Sequence, residues 1–177
     1  MDPLIVENIF SKEDCKNLIY VSEHIGYTPA SCYTVNGVEH FDFNMRKSLR
    51  CILDDVNVAK FIEEKIKDYI PQVYNEKKFH SVNERLRFLK YDGSGHFAKH
   101  VDGNYSDDKR QSFITILIYL NEGYKGGFTR YYLNNTMTTI IPKTGMICLM
   151  DQEIEHDVPE LTEGIKYVIR TELMYEL

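Results

Sequence analysis

Four strand-like segments separate His100-Val101-Asp102 from His156, and few folds can bring those three side chains together. The segments are 112–120, 127–133, 136–141 and 145–150. They are rich in Ile, Thr, Tyr and Phe, and Gly, Asn and Pro-Lys turn signals divide them. On an extended strand residues i and i+2 point the same way, so His100 and Asp102 project together. A third ligand must then come from another strand, which requires the intervening strands to curl into a barrel. Two imidazoles and one carboxylate hold one face of the octahedron of a metal such as Fe(II) and leave the other face open for chemistry. Lys166 follows His156 by ten residues, where a cation can grip the far carboxylate of an organic acid bound to that metal.

A His-x-acid pair is a weak signal alone, since a chain with 6 His and 27 acidic residues carries about one by chance. There is a second pair, His40-Phe41-Asp42, with His96 and His100 after it and Arg110 ten residues past His100. The segments between ligands decide between the two. Between Asp42 and His96 the main feature is a helix at 56–70, with Val58, Phe61, Ile62, Ile66, Tyr69 and Ile70 at helical spacing and Pro71 as its stop. The downstream set is therefore the metal candidate, and His40 is expected to be a surface or loop histidine.

The 177 residues are expected to form one domain with a substantial core, and 43% hydrophobic content is ordinary for a globular chain. The net charge of −6, without a basic run, argues against duplex nucleic acid as a partner, because that affinity rests on Lys and Arg contacts to phosphate. It mildly favours neutral or basic partners over acidic ones. No signal peptide or membrane-length apolar run is visible, and the four cysteines form no CxxC pair. The expected compartment is the cytoplasm, with the thiols reduced.

Ser11-Lys12-Glu13-Asp14 reads as a helix start, with a hydroxyl cap and acids in the first turn, and Gly26 as its end. Residues 27–35 are expected to be extended, Asn36-Gly37 to be a turn, 36–48 a mobile loop and 49–53 a short strand. From Glu84 the pattern is β throughout, with strands at 85–91 and 96–101. Helices first and seven or eight strands afterwards suit a mainly β fold with flanking helices. That fold is a double-stranded β-helix, or jelly roll, with the N-terminal helices packed outside. The expected division is 1–83 as helical and strand support and 84–177 as the catalytic core.

Residues 84–177 resemble the catalytic core of the prolyl 4-hydroxylase group of Fe(II)/2-oxoglutarate dioxygenases. The resemblance runs through Tyr91-Asp92-Gly93-Ser94-Gly95 and His100-Val101-Asp102, then Tyr119-Leu120-Asn121 and Gly126-Gly127-Phe128-Thr129. It continues through Pro142-Lys143-Thr144-Gly145, His156 and Gly164-Ile165-Lys166-Tyr167. Arg46-Lys47-Ser48 is similar, more weakly, to an upstream Arg-x-Ser. Departures occur at Pro159, three residues after His156, and at Arg130-Tyr131-Tyr132 after the Gly-Gly-x-Thr element. The chain also lacks the ER signal and peptide-binding domain of animal collagen enzymes, which makes collagen the less expected substrate.

The resemblance implies Fe(II) on His100, Asp102 and His156, with 2-oxoglutarate and O2 as cosubstrates and ascorbate as an accessory reductant. Lys166 is the expected partner of the remote carboxylate of 2-oxoglutarate, with Arg170, on the same strand face, as the second candidate. Tyr91, Tyr119 and Thr129 match positions whose hydroxyls line the cosubstrate pocket. Arg87, on the face of Tyr91, is a candidate for holding substrate, as is Tyr105. Tyr33 and Tyr124 are further loop tyrosines that can flank a peptide groove. Residues 103–111 are a candidate lid. The expected activity is hydroxylation of prolyl residues in a peptide or protein, including proline-rich ones. The alternatives are the same chemistry on another side chain or a free small molecule, and a jelly-roll binding module with an inactive centre. The sequence leaves the oligomeric state open.

Overall fold

A computed structural model describes residues 1–33 and 38–177. The turn expected at Asn36-Gly37 and the side chain of Tyr33 lie outside the described residues. Two antiparallel sheets face each other. The larger has nine strands, and its centre is the three-strand run Ile147–Asp151, Arg110–Tyr119 and Lys166–Glu176, continued by Arg85–Tyr91 and Leu49–Asp54. The smaller has five strands in the order Thr136–Thr139, Arg130–Leu133, Glu155–Val158, His96–His100 and Arg46–Lys47. This is the expected jelly roll.

The central strands read as almost continuous apolar runs because both of their faces are covered. Along Arg110–Tyr119, Ile114, Ile116 and Ile118 turn to a core beneath the helices, while Leu117 and Tyr119 turn to a second core between the sheets. The helices supply the outer cover. α1 (Lys12–Ile25) starts at Ser11 in a full capping box, with Ser11 Oγ accepting from Asp14 N–H and the Asp14 carboxylate accepting from Ser11 N–H. It ends at Gly26, whose φ of 94° favours glycine. α2 (Val56–Ile66) buries Ala59, Ile62 and Ile66, and Asp55 caps it through the N–H groups of Asn57 and Val58.

Several boundaries differ from the sequence reading, each for a local reason. α2 stops at Ile66 and tightens into a 3₁₀ turn over Lys67–Tyr69 before Pro71. The segment expected at 127–133 is a strand only over Arg130–Leu133, because Gly126 and Gly127 take φ of 69° and 61° and leave the extended region. The stretch expected as a mobile loop carries two short strands, Glu39–His40 and Arg46–Lys47, held by pairing to distant segments. Strands Leu4–Val6 and Lys77–Val82 join the large sheet at Ile147–Asp151 and Lys166–Glu176. They were not read from the sequence, being short or mostly polar. Residues 103–111 fold back as a tight hairpin, with a bridge between Ser106 and Gln111 and the Asp107 carboxylate accepting from the N–H groups of Lys109 and Arg110.

Candidate metal centre and cavity

Strand pairing assembles the cluster. His96–His100 runs antiparallel to Glu155–Val158 with His100 directly opposite His156, so one residue from each of two neighbouring strands meets on the inner face. Asp102 follows just past the first strand, and its N–H donates to the carbonyl of Gln152 at 3.0 Å. One ligand atom from each of His100, Asp102 and His156 lies within 4.8 Å of the others. His100 Nε2 and His156 Nε2 stand 3.9 and 3.8 Å from the Asp102 carboxylate oxygens.

Each imidazole is oriented by its other nitrogen. His100 Nδ1 lies 2.8 Å from the Ala98 carbonyl and His156 Nδ1 2.9 Å from that of Ile154, so both Nδ1 atoms act as donors and both Nε2 lone pairs face the cluster. Burial, with His156 alongside, pushes the His100 pKa down to about 4, which keeps the ring in the neutral form that ligates. Burial raises the Asp102 carboxyl, but Arg170, His156 and His100 outweigh it and hold the group well below the usual carboxylate range. Thr115 Oγ1 donates to Asp102 Oδ2 at 2.6 Å. This donor set, charged, oriented and open on one side, fits a divalent transition metal.

The cluster opens into a cavity of about 1000 Å³ between the sheets. Lys166 lies in its wall at 1% exposure, directly across the strand pair from Tyr91. Its Nζ donates to the Gly127 carbonyl at 2.7 Å and lies 3.4 Å from Thr129 Oγ1, with the Tyr91 and Tyr119 rings beside it. Tyr119 Oη donates to Thr129 Oγ1 at 2.9 Å. Among the described residues no carboxylate lies within 4 Å of Lys166, and burial pushes its pKa down to about 7. A buried ammonium without an anion fits a carboxylate ligand as its missing partner.

The remaining candidates are placed as follows. Arg170 sits beside Asp102, with Nε 3.1 Å from Oδ1, and also meets Glu172 at 3.3 Å. Its charge is thus engaged at the metal side of the cavity rather than beside Lys166. Arg87 lines the cavity and is paired with the fully buried Glu172 at 2.8 Å. Tyr105 is half-buried in the 103–111 hairpin, where its N–H donates to Ser112 Oγ, and it does not line the cavity. Tyr124, expected in a loop at the groove, is instead packed in the inter-sheet core against Phe128 at 5% exposure, with its Cα and Cβ close against Gly164, where an added Cβ would fall 3.1 Å from Tyr124 Cβ. His40 and Asp42 are not on a remote surface loop: both line the cavity, and His40 Nδ1 is buried with no hydrogen-bond partner among the described residues. Pairing of Glu39–His40 with Cys32–Tyr33 brings them there. Sequence reasoning also passed over Phe97, stacked on His100 at 3.6 Å, and Thr115. For Thr115 the alternation with Leu117 and Tyr119 was the available signal; Phe97 is out of step with His100 by alternation, and the register shift between them brings its ring alongside.

A jelly roll carrying two histidines and an aspartate at the mouth of an inter-sheet cavity is the ground plan of a metal-dependent oxygenase. Residues 86–171 match the model of the 2OG-Fe(II) oxygenase superfamily. The fold is similar to that of a Pseudomonas putida prolyl-4-hydroxylase, at 14% identity and TM-score 0.71, over 97% of this chain and 91% of that one. It is similar to a Trichoplax adhaerens prolyl hydroxylase solved with a hypoxia inducible factor peptide, at 15% identity and TM-score 0.74, over 98% and 83%. A viral collagen prolyl hydroxylase from Paramecium Bursaria Chlorella virus-1, solved with 2OG, matches at 18% identity and TM-score 0.70, over 98% and 96%. No curated protein matches the sequence. Over residues 86–171, just under half of its length, the chain is thus similar to the 2OG-Fe(II) oxygenase superfamily, and as a whole it shares its fold with prolyl hydroxylases of known structure. Among the described residues no helix is long and apolar enough to cross a membrane.

Proposed function

We propose that the protein is a hydroxylase that uses Fe(II), O2 and 2-oxoglutarate to oxidise a prolyl residue of a peptide or protein. The observation that carries this reading is Lys166, a buried cation lacking an anion, in one cavity with His100, Asp102 and His156. In this reading those three residues hold Fe(II), and Lys166, with Thr129, receives the remote carboxylate of 2-oxoglutarate. Tyr91 and Tyr119 wall that end and exclude water, which strengthens the charge pairing. Arg170 is assigned to holding Asp102 ionised and in place, and Arg87 to the substrate half of the cavity. With metal and cosubstrate bound, the centre supplies oxidative decarboxylation of 2-oxoglutarate to succinate and CO2, with one oxygen atom delivered to a substrate C–H bond.

The likeness to a prolyl hydroxylase solved with a peptide supports a peptide or protein substrate, and so does a cavity with room beyond the cosubstrate. Ascorbate is the proposed accessory reductant. Four free cysteines support a reducing compartment, and the cytoplasm is the one proposed. All 177 residues are taken as one catalytic unit, since strands from the first 83 complete both sheets. The test is succinate release from Fe(II) and 2-oxoglutarate against a panel of proline-rich peptides and free amino acids. Mass spectrometry of each turned-over substrate then locates the oxygen. Oxygen on another residue type, or turnover of free small molecules alone, would leave the iron chemistry and remove the prolyl assignment.

A further inference from the structure

The cavity wall contains more positive charge than the cosubstrate needs. Arg46, Arg50, Arg85, Arg87, Lys166 and Arg170 line it, against the carboxylates of Asp42 and Asp102. Most of these cations are answered locally: Arg50 by Glu39, Arg85 by Asp54, Arg87 by Glu172, and Arg170 by Asp102 and Glu172. Lys166 awaits the cosubstrate. Arg46 has no counterpart. It is 8% exposed, and among the described residues no carboxylate lies within 4 Å of it. Asp42 Oδ1 is engaged locally, accepting from the N–H groups of Asn44 and Met45.

The Arg46 guanidinium is nonetheless held in position. Pairing of Arg46 with Phe97 across the sheet edge sets the backbone, and the guanidinium lies 4.4 Å over the Phe97 ring. Nε donates to Ser48 Oγ at 2.8 Å and Nη1 to the Ser31 carbonyl at 3.5 Å, while Nη2 makes no hydrogen bond to the described residues. Phe97 in turn stacks on His100, so this cation stands one ring away from the candidate metal ligands. A rigid, desolvated guanidinium with free donors is suited to a carboxylate, which it can meet in a fork.

Resting on the hydroxylase reading above, we propose that Arg46 binds an anionic group of the primary substrate, and that the substrate carries a carboxylate close to the oxidised carbon. The carboxylate belongs either to an acidic side chain beside the target residue or to the end of a free amino acid. The net charge of −6 favours neutral or basic partners at long range. That field is screened over about a Debye length of 8 Å in physiological salt, whereas an unpaired cation in the cavity acts at contact.

The experiment is calorimetric titration of the full chain with Fe(II) and 2-oxoglutarate under argon, where binding occurs without turnover. Matched probes differ only in charge: N-acetyl-Pro-Glu against N-acetyl-Pro-Gln, both as methylamides, and N-acetylproline against its methylamide. The acidic member of at least one pair is expected to bind about tenfold tighter or better, and the pair that shows it identifies the source of the carboxylate. Arg46→Gln should erase the preference while 2-oxoglutarate affinity stays within about twofold. Arg46→Lys, which keeps the charge, should retain part of it, and melting curves establish that both variants fold. Equal binding of acids and amides, or no binding of any acid, overturns the proposal. So does an Arg46→Gln variant that loses 2-oxoglutarate as much as it loses the acid, because Arg46 would then serve the cosubstrate. Repeating the titrations without metal and cosubstrate separates the two readings. Acid selectivity that persists while 2-oxoglutarate fails to bind overturns the oxygenase reading and leaves the anion site standing.

Discussion

Replacing Lys166 by Met should make the ligand-free protein more stable and the cosubstrate complex much weaker. The side chain is fully buried without an anion, and burial lowers its pKa from 10.5 to about 7. Each unit of such a shift is worth about 1.4 kcal/mol, so holding the charged form inside costs several kcal/mol near neutral pH. The sign of the pH dependence follows. Below pH 7 both folded and unfolded chains carry the proton and the cost is full. Between pH 7 and 10.5 the unfolded chain binds more protons than the folded one, so stability rises with pH across that window. Met fills nearly the same volume without a charge. Its gain is offset by the hydrogen bond lost at the Gly127 carbonyl, worth roughly 1–3 kcal/mol if that oxygen stays unpaired. The net expectation is a stabilisation of about 1–3 kcal/mol at pH 7, or roughly 2–12 °C in Tm for a chain of this size. The advantage over wild type should shrink as pH rises towards 9. The same variant loses a charge-assisted contact worth roughly 2–3 kcal/mol, so its Kd for 2-oxoglutarate should rise by about 30- to 200-fold. Urea unfolding at pH 7 and 9 and titration calorimetry with 2-oxoglutarate make the test. A Met variant that is less stable than wild type and still binds 2-oxoglutarate normally would refute the reasoning.

Other expectations are independent of that variant. Alanine at His100, Asp102 or His156 should weaken Fe(II) binding by at least about 100-fold, Thr115→Val, which only releases an Asp102 oxygen, by about 10-fold, and His40→Ala not at all, as read by competition with a metal indicator. Binding of 2-oxoglutarate at pH 8 should take up close to one proton, as neutral Lys166 becomes charged beside a carboxylate, and almost none at pH 6. Calorimetry in buffers of different ionisation enthalpy reads this directly. Gly145→Ala should destabilise the fold by about 3 kcal/mol or more in urea unfolding. Its φ is +81°, and an added Cβ would fall 1.9 Å from the Phe10 carbonyl oxygen.

Much of the architecture was already legible in local pattern. The capping box at Ser11 and the glycine stop at Gly26 are short-range devices, and α1 occupies the stretch they mark. The strand Arg85–Tyr91 has the bounds its alternation suggested. The spacing of His100 and Asp102 and the β-rich run before His156 carried the fold, because i and i+2 positions and strand propensity are properties of adjacent residues. Register is different in kind. That His100 meets His156 and Lys166 meets Tyr91 depends on which strands pair and by what offset, and no local signal encodes this. Charge partnership is likewise a tertiary property. Arg170 and Lys166 are four residues apart on one strand face, yet one lies against Asp102 and Glu172 while the other has no carboxylate nearby. His40 and Arg46 looked peripheral because their segment is polar and short. Pairing with Cys32–Tyr33 and His96–His100 folds that segment over the cavity. The chain's own residues determined a barrel with a triad that could hold a metal. Only the packing of distant strands, which sets what each buried charge can reach, decided which cations were left in want of an anion.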